Sequence, residues 1–205
     1  MNGFVGGYYR FSVWVTRFAY LNLLWIGFSV IGLLLFGFFP ATAAMFAVVR
    51  KWINKDTDIP IFQTFWKAFK KEFIRINMLG LVLVISGYLL IVELQILRTQ
   101  EHVAYLIASY TVIGLLLIYA IVLLYIFPMF SHFQLKLTHY FKWAFLIGIG
   151  HPILTIVLFG GVIAIQYFAY ATIPILLLFF GGSITAYILM WGASQVFMKY
   201  EKVEV

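Results

Sequence analysis

The chain has 205 residues, of which 64% are hydrophobic and only 10% are charged. Soluble domains carry about 25% charged and about 45–50% apolar residues, so this composition excludes an ordinary water-soluble protein and also a disordered one. Because ~20 residues cross a bilayer as a helix, the length leaves room for a helical membrane bundle but for no separate soluble domain. We therefore expect a single integral membrane domain over residues 1–205.

The net charge of +7 does not indicate a nucleic-acid partner, because the 14 lysines and arginines are scattered between apolar runs. In a membrane protein such an excess instead indicates topology, since cytoplasmic connections are enriched in lysine and arginine. The chain also contains no cysteine, which excludes disulfides, thiol catalysis and thiolate metal ligands.

Long apolar runs predict a polytopic, all-α transmembrane bundle that makes contact with the lipid bilayer. The first run is too long for the ~7–15-residue core of a cleaved signal peptide, so we interpret it as a retained helix. A shorter run, Phe38–Val49, rises only about 18 Å as a helix, which is less than a full crossing, and predicts one short membrane-embedded helix. The runs lack the alternation that is typical of a membrane β-barrel. The five long spans are Phe18–Phe36, Met78–Leu97, Val103–Phe127, Trp143–Phe168 and Ile173–Met198.

The charges orient these spans. Residues 50–75 hold more basic than acidic side chains, so the positive-inside rule places this connection, and with it the C-terminus, in the cytoplasm. If Phe38–Val49 returns through the membrane, the N-terminus with Arg10 and Arg17 is cytoplasmic too; if it does not cross, the N-terminus lies outside. The charge rule favours the first arrangement, with a hairpin tip near residues 37–40, and the length rule favours the second. We predict that both termini are cytoplasmic.

The cytoplasmic connection before Met78–Leu97 contains an amphipathic helix. Its aromatic residues recur at helical spacing, and basic residues occupy the opposite side. Such a helix either lies at the inner membrane surface, with its aromatic side chains among lipid headgroups, or presents a docking surface to a partner protein. A weaker aromatic-basic elbow follows Phe127, where Pro128 predicts a break or kink. The candidate partner or lipid surface comprises Phe62, Phe65, Trp66, Lys67, Phe69, Lys70, Lys71, Phe73 and Arg75.

Four polar side chains inside the predicted spans form a candidate intramembrane site, because polar groups are costly in hydrocarbon and commonly functional there. Glu93 is the only acid within an apolar run, but it lies near the outer boundary, where snorkelling or ion pairing also explains it. His151 could titrate near neutral pH, or it could bond to a carbonyl freed by Pro152. Asn22 and Gln166 are typical of interhelical hydrogen bonds as well as of ligand contacts.

Small residues four positions apart, as in Gly160–Ala164 and Gly182–Ala186, indicate close helix packing, either within the chain or between two copies in a homo-oligomer. The histidines lack the spacing of a metal site, and the sequence has no nucleophile elbow for Ser-His-Asp catalysis. We therefore expect no enzymatic activity, no metal ion and no cofactor.

Several sequence blocks resemble the YesL-like family of small bacterial integral membrane proteins of unknown function. They include Asn22-Leu23-Leu24-Trp25, Pro40-Ala41-Thr42-Ala43-Ala44-Met45 and residues 62–73, and the likeness extends over most of the chain. The resemblance implies a multi-pass protein of the bacterial cytoplasmic membrane with no assigned catalytic residues. Because such proteins tend to be encoded beside carbohydrate-uptake systems, it also implies an accessory role, with an ABC-type sugar permease as the partner.

Two functions from different classes are consistent with these features. The first is a non-enzymatic accessory or interaction protein of a carbohydrate-uptake system, which would dock through the aromatic-basic helix. The alternative is a small transporter or channel with a polar path near Glu93 and His151. One acidic residue near a membrane boundary supplies few of the ionisable groups that ion coupling uses, so the sequence favours the accessory role.

Overall fold

The computed structural model describes residues 2–34 and 36–200, and these residues form helices and turns with no strand. The predicted all-α fold is confirmed. A π-helical turn, Leu177–Gly181, leads directly into the last helix. The helices are α1 (Asn2–Ile31), α2 (Phe38–Ile53), α3 (Ile61–Lys71), α4 (Phe73–Arg98), α5 (Val103–His132), α6 (Leu137–Gly150), α7 (Pro152–Thr172) and α8 (Gly182–Tyr200).

Five of the described segments are long and apolar enough to cross a membrane. Many of their large apolar side chains are exposed, as expected for helices whose solvent is lipid. The first ends at Ile31 rather than at the predicted Phe36, because a turn follows. The five segments are Gly6–Ile31, Phe73–Arg98, Val103–His132, Pro152–Thr172 and Leu177–Met198.

The structure corrects one predicted span and excludes a helix break at Pro128, where the alternative of a kink stays a prediction. The predicted span Trp143–Phe168 is two helices, because the backbone leaves helical geometry at His151, where φ is −129° and ψ is 64°. Pro152 then begins α7, and a proline disfavours the helical conformation of the residue before it. Pro128, by contrast, lies inside α5, which continues for four more residues to His132.

Helix α2 lies in the interior of the protein rather than at its surface. It packs against α1, α3, α4, α5 and α8. Ala41, Ala44 and Val48 are fully buried, and the small side chains at two of these positions allow neighbouring helices to approach closely. The short helix predicted at Phe38–Val49 is therefore a core element, and α3 covers it from outside.

Both ends of α2 lie at the same end of the α4–α5 pair. At its start, the Phe36 carbonyl accepts a hydrogen bond of 3.1 Å from Asn77, which is only about 6 Å along α4 from Phe73 and about 32 Å from Arg98. At its end, Arg50 bonds to the carbonyls that terminate α5. This is the geometry of an embedded helix and favours that prediction over a crossing of the membrane by residues 38–49. The side on which the N-terminus lies stays a prediction.

The turn between α1 and α2 is unusually tight. A Cβ atom on Gly32 would lie 2.3 Å from the Cα of Gly37, so glycine is required where the two chain segments meet. Leu33 and Leu34 adopt left-handed φ angles of 56° and 60° in the same turn. The turn thus reverses the chain within a few residues and brings α2 back along α1.

The C-terminal end of α8 lies beside the end of α5. Phe197 packs against His132 and Phe133, with ring centroids 5.1 and 5.2 Å apart. The ends of α5 and α8, both ends of α2, and the basic connection around α3 therefore share one end of the molecule, which we call the basic end. Its cytoplasmic location stays a prediction from the positive-inside rule.

Candidate functional site

The aromatic residues of α3 form two groups, one buried against α1 and one partly exposed. Phe65 and Phe69 are buried and pack against Phe28 of α1, with ring centroids 5.3 and 5.1 Å apart. Phe62 and Trp66 also touch Phe28 but stay 46% and 37% exposed. The predicted helical stripe is correct, but its strongest members face the protein interior. Phe65 and Phe69 therefore belong to neither a lipid nor a partner surface, and the choice between these two for the exposed aromatic residues stays a prediction.

The accessible surface of α3 has two faces. We call Phe62, Trp66 and Lys70 the outer face; there the Lys70 ammonium lies 4.2 Å from the centroid of the Trp66 ring, a cation–π contact. The other face carries Lys67 and Lys71 and turns toward the end of α5. Three of the predicted lysines are thus exposed, and they are divided between two surfaces.

Arg75 is a structural residue rather than part of an open basic surface. Its guanidinium donates to the Leu135 carbonyl and lies 3.8 Å from Glu72. The guanidinium carbon is also 5.7 Å from the centroids of the Phe130 and Tyr140 rings. Arg75 therefore fastens the connection between α5 and α6 to the start of α4, and its predicted place beside the exposed lysines is wrong. Phe73, at the first position of α4, packs against Phe69 with ring centroids 5.5 Å apart.

Tyr140 strengthens the same junction. Its hydroxyl donates to the Phe133 carbonyl at 2.8 Å and accepts from the Leu135 N–H at 3.0 Å. Burial raises the pKa of the Tyr140 phenol, although the hydrogen bond from Leu135 and the charge of Arg75 act in the opposite direction. The phenol is therefore protonated at neutral pH and can donate its hydrogen bond.

Arg50 is another arginine with a structural role, and the sequence does not reveal this role. Its guanidinium donates to the carbonyls of Ser131 and His132, the latter at 3.2 Å. The last carbonyls of a helix have no partner within the helix and carry partial negative charge, so a cation there is stabilising. Arg50 was predicted only to orient the protein, and no local pattern links it to residues some 80 positions away.

A groove of about 600 Å³ opens at the basic end between α2, α3 and the end of α5. Four cationic side chains and one carboxylate line it. Among the lining cations, Arg50 is engaged with carbonyls, and Lys71 lies 3.8 Å from Glu72. The charged residues at the groove are Arg50, Lys51, Lys67, Lys71 and Glu72.

Asn22 joins α1 to the π-helical turn inside the apolar part of the bundle. The side chain is fully buried; its Nδ2 donates to the Leu178 carbonyl at 2.6 Å, and its Oδ1 accepts from the Ser183 N–H at 2.9 Å. These two backbone groups are five residues apart, which is the spacing that a π-helix pairs. A Cβ on Gly182 would lie 2.8 Å from Oδ1, so this position needs glycine.

Gln166 reaches the same turn from α7. Its Nε2 donates to the Gly181 carbonyl at 2.9 Å and to the Thr185 hydroxyl at 2.6 Å. Two of the four predicted intramembrane residues, Asn22 and Gln166, thus meet at the π-helical turn, and we call this pair the polar clamp. Their hydrogen bonds are interhelical, as the structural interpretation of the sequence predicts.

The other two predicted residues lie apart from the polar clamp and from each other. Glu93 is exposed on α4, and its carboxylate forms no hydrogen bond or ion pair with another described residue. His151 is half-buried at the junction of α6 and α7. Helix α4 contacts α5 at Tyr119, and helix α6 contacts α5 at Ile121. These two positions are about 200° apart around the axis of α5. Helix α5 therefore lies between the elements that carry the two residues.

The residues that the structure describes include no group of three or more histidine, aspartate or glutamate side chains able to hold a metal ion. The histidines and carboxylates are distributed over separate elements instead.

Spanning helices, a buried short helix and a basic end define a multi-pass helical membrane protein. A family model described as "Protein of unknown function, DUF624" matches residues 18–94. The chain is 35% identical over 202 residues to the uncharacterized protein YteU of Bacillus subtilis (strain 168), covering 98% of this chain and 90% of that relative. It therefore belongs to this family of uncharacterized membrane proteins.

Two further Bacillus subtilis (strain 168) relatives, also named as uncharacterized, support the same membership. YesL is 38% identical over 183 residues, which is 89% of this chain and 86% of YesL. YesV is 38% identical over 190 residues, which is 91% of this chain and 89% of YesV. The predicted resemblance is confirmed, and no solved structure matches the chain.

Proposed function

We propose that this protein is a non-enzymatic accessory protein of the bacterial cytoplasmic membrane that docks an acidic surface of a partner protein. The observation that carries the proposal is the outer face of α3. This face is held firmly, because Phe65 and Phe69 anchor the helix to Phe28, yet Lys70 forms no ion pair with any described residue. A fixed, uncompensated positive surface suits a complementary negative one.

A protein partner suits this surface better than lipid does. A helix that binds lipid inserts a continuous apolar face, whereas α3 has already buried two of its aromatic residues within its own bundle. The remainder is one tryptophan and one phenylalanine beside a lysine. Tryptophan and cationic residues are enriched at the energetically dominant positions of protein interfaces.

An ABC-type sugar permease is the partner class that we propose. The support is the family resemblance, since members tend to be encoded beside carbohydrate-uptake systems. Its cytoplasmic surface would lie at the level of the basic end if the positive-inside rule holds for this chain.

A transporter or channel with a path near Glu93 and His151 has no comparable support. The two residues lie on opposite sides of α5, and the polar clamp is occupied by hydrogen bonds within the protein. Flux that disappears in Glu93→Gln and His151→Ala would favour this alternative over the accessory role.

Co-purification from native membranes in mild detergent tests the proposal. We expect the wild-type protein to retain a partner and a Trp66→Ala/Lys70→Glu variant to retain at least about tenfold less, because an anchor and a charge are both lost. Tyr105→Ala/Arg98→Glu makes the matched change at the opposite end and should leave recovery unchanged. A wild-type protein that always purifies alone, or a variant that recovers as much partner, would contradict the proposal.

A further inference from the structure

The groove at the basic end has the size of a small-ligand site. Its volume of about 600 Å³ lies within the range of about 300–1,000 Å³ that is typical of ligand pockets. One wall is the last turns of α2, the second is the inner side of α3, and the third is the end of α5. Each wall is held by contacts described above, so the groove is preformed.

The lining is positively charged and partly without partners. Arg50 is engaged with carbonyls and Lys71 is near Glu72, but Lys51 and Lys67 form no ion pair or hydrogen bond with another described residue. Two lysines therefore line the groove without an ion-pair partner among the described residues, because its one carboxylate, Glu72, lies 3.8 Å from Lys71 and from Arg75. Such an arrangement favours an anion.

Neutral hydrogen-bonding groups accompany these ammonium groups. Gln63 and Thr64 line the groove on α3, and neither side chain forms a hydrogen bond with another described residue. An anion seated between α2 and α3 could thus accept hydrogen bonds from an amide and a hydroxyl as well as from lysines. Lysine binds phosphate as a point charge with three donors, whereas the guanidinium that lines this groove, Arg50, already bonds to carbonyls.

We propose that this groove binds the phosphate group of an anionic ligand, either a phospholipid headgroup or a soluble phosphate ester. A phosphate monoester carries a charge of about −1.5 to −2 and three acceptor oxygens, and a diester headgroup such as phosphatidylglycerol carries about one negative charge and two free oxygens. Two or three lysines with neutral donors between them suit either group, and the monoester more closely. The inference goes beyond the proposed docking role and does not rest on it, because the outer face of α3 does not line the groove.

Binding by purified protein tests the inference and separates the two sources. In one arm, the protein is reconstituted in phosphatidylcholine nanodiscs with or without phosphatidylglycerol, and lipid that stays bound is identified by native mass spectrometry. In the other arm, inorganic phosphate and glucose 6-phosphate are titrated at constant ionic strength, and binding is followed by thermal shift. Retained phosphatidylglycerol supports a headgroup site, and saturable binding of either phosphate compound supports a soluble ligand.

The matched variants decide whether the groove is responsible. Lys51→Gln/Lys67→Gln should weaken binding by about tenfold or more, since both uncompensated charges are lost. Lys55→Gln/Lys136→Gln removes the same charge outside the groove and should bind as the wild type does. Thr64→Val tests the site without any change in charge and should weaken binding by a smaller factor. Equal binding by the wild type and the Lys51→Gln/Lys67→Gln variant, or no binding in either arm, would overturn the inference.

Discussion

The polar clamp and the basic end differ in whether their polar side chains have partners within the protein. In the clamp, Asn22 and Gln166 direct their amide donors to backbone or hydroxyl oxygens of the last span. At the basic end, Arg50 and Arg75 are engaged in the same manner, but Lys51 and Lys70 have no such partner. Polar residues within the bundle thus support its packing. Candidates for function are the charged groups that the fold positions and leaves without an ion pair, such as Lys51 and also Lys70, whose one described contact is with the Trp66 ring.

The largest expected effect concerns the side of the membrane on which the α1–α2 turn lies. Phe36 lies beside Asn77, so a single cysteine in Phe36→Cys should react with an impermeant maleimide from the cytoplasmic side only. The natural chain lacks cysteine, so the background is empty. Asp56→Cys and Gln100→Cys mark the two sides. Labelling of residue 36 from the same side as residue 100 would instead show that α1 and α2 form a hairpin that crosses the membrane.

The polar clamp should be the more sensitive region to loss of a hydrogen-bonding side chain. Asn22→Leu leaves the Leu178 carbonyl and the Ser183 N–H unpaired in an apolar interior, and we expect a loss of about 2–5 kcal/mol in the free energy of unfolding. Gln166→Leu should cost less, about 0.5–2 kcal/mol, because the Gly181 carbonyl keeps the Thr185 hydroxyl as a donor.

Unfolding in sodium dodecyl sulfate, followed by circular dichroism, measures both losses. Gln95→Leu is the control, because Gln95 is exposed on α4 and makes no side-chain hydrogen bond within the described chain. An Asn22→Leu protein as stable as this control would show that the clamp does not support the bundle.

Arg50 and Lys51 are adjacent cations, of which the first donates hydrogen bonds to carbonyls and the second forms none within the described chain. Arg50→Met removes the donor of the Ser131 and His132 carbonyls and should lower the free energy of unfolding by about 1–3 kcal/mol. Lys51→Met should change it by less than about 0.5 kcal/mol, since Lys51 is exposed. The same detergent titration measures both. Equal losses in the two variants would remove the distinction between structural arginines and available lysines.

The sequence predicted the helices better than their arrangement. Apolar runs located the spans because the bilayer imposes a length on each of them, and the aromatic spacing of α3 was correct. Periodicity gives the apolar side of a helix but does not say whether lipid or protein covers it. For Phe65 and Phe69 the cover is Phe28, which lies more than 30 positions earlier in the chain.

The candidate site was predictable only in part. Asn22 and Gln166 were identified because amides are rare in hydrocarbon, but their common target, the π-helical turn, has no sequence signature that we recognised. The break at His151 has a signal in Pro152, but the continuous hydropathy of residues 143–168 predicts a single span. Arg50 and Arg75 contact residues 60–82 positions away, and such pairs follow from the packing of α2 and α4 on α5.

Photo-crosslinking from the outer face of α3 tests the central claim most directly. A photoreactive phenylalanine analogue replaces Phe62 in one protein and Tyr105 in another, which leaves Trp66 and Lys70 intact, and native membranes are irradiated before purification. Docking through the outer face predicts a protein adduct from position 62 that is absent from position 105. Adducts only with lipid at position 62, or the same protein adduct from both positions, would contradict docking through this face.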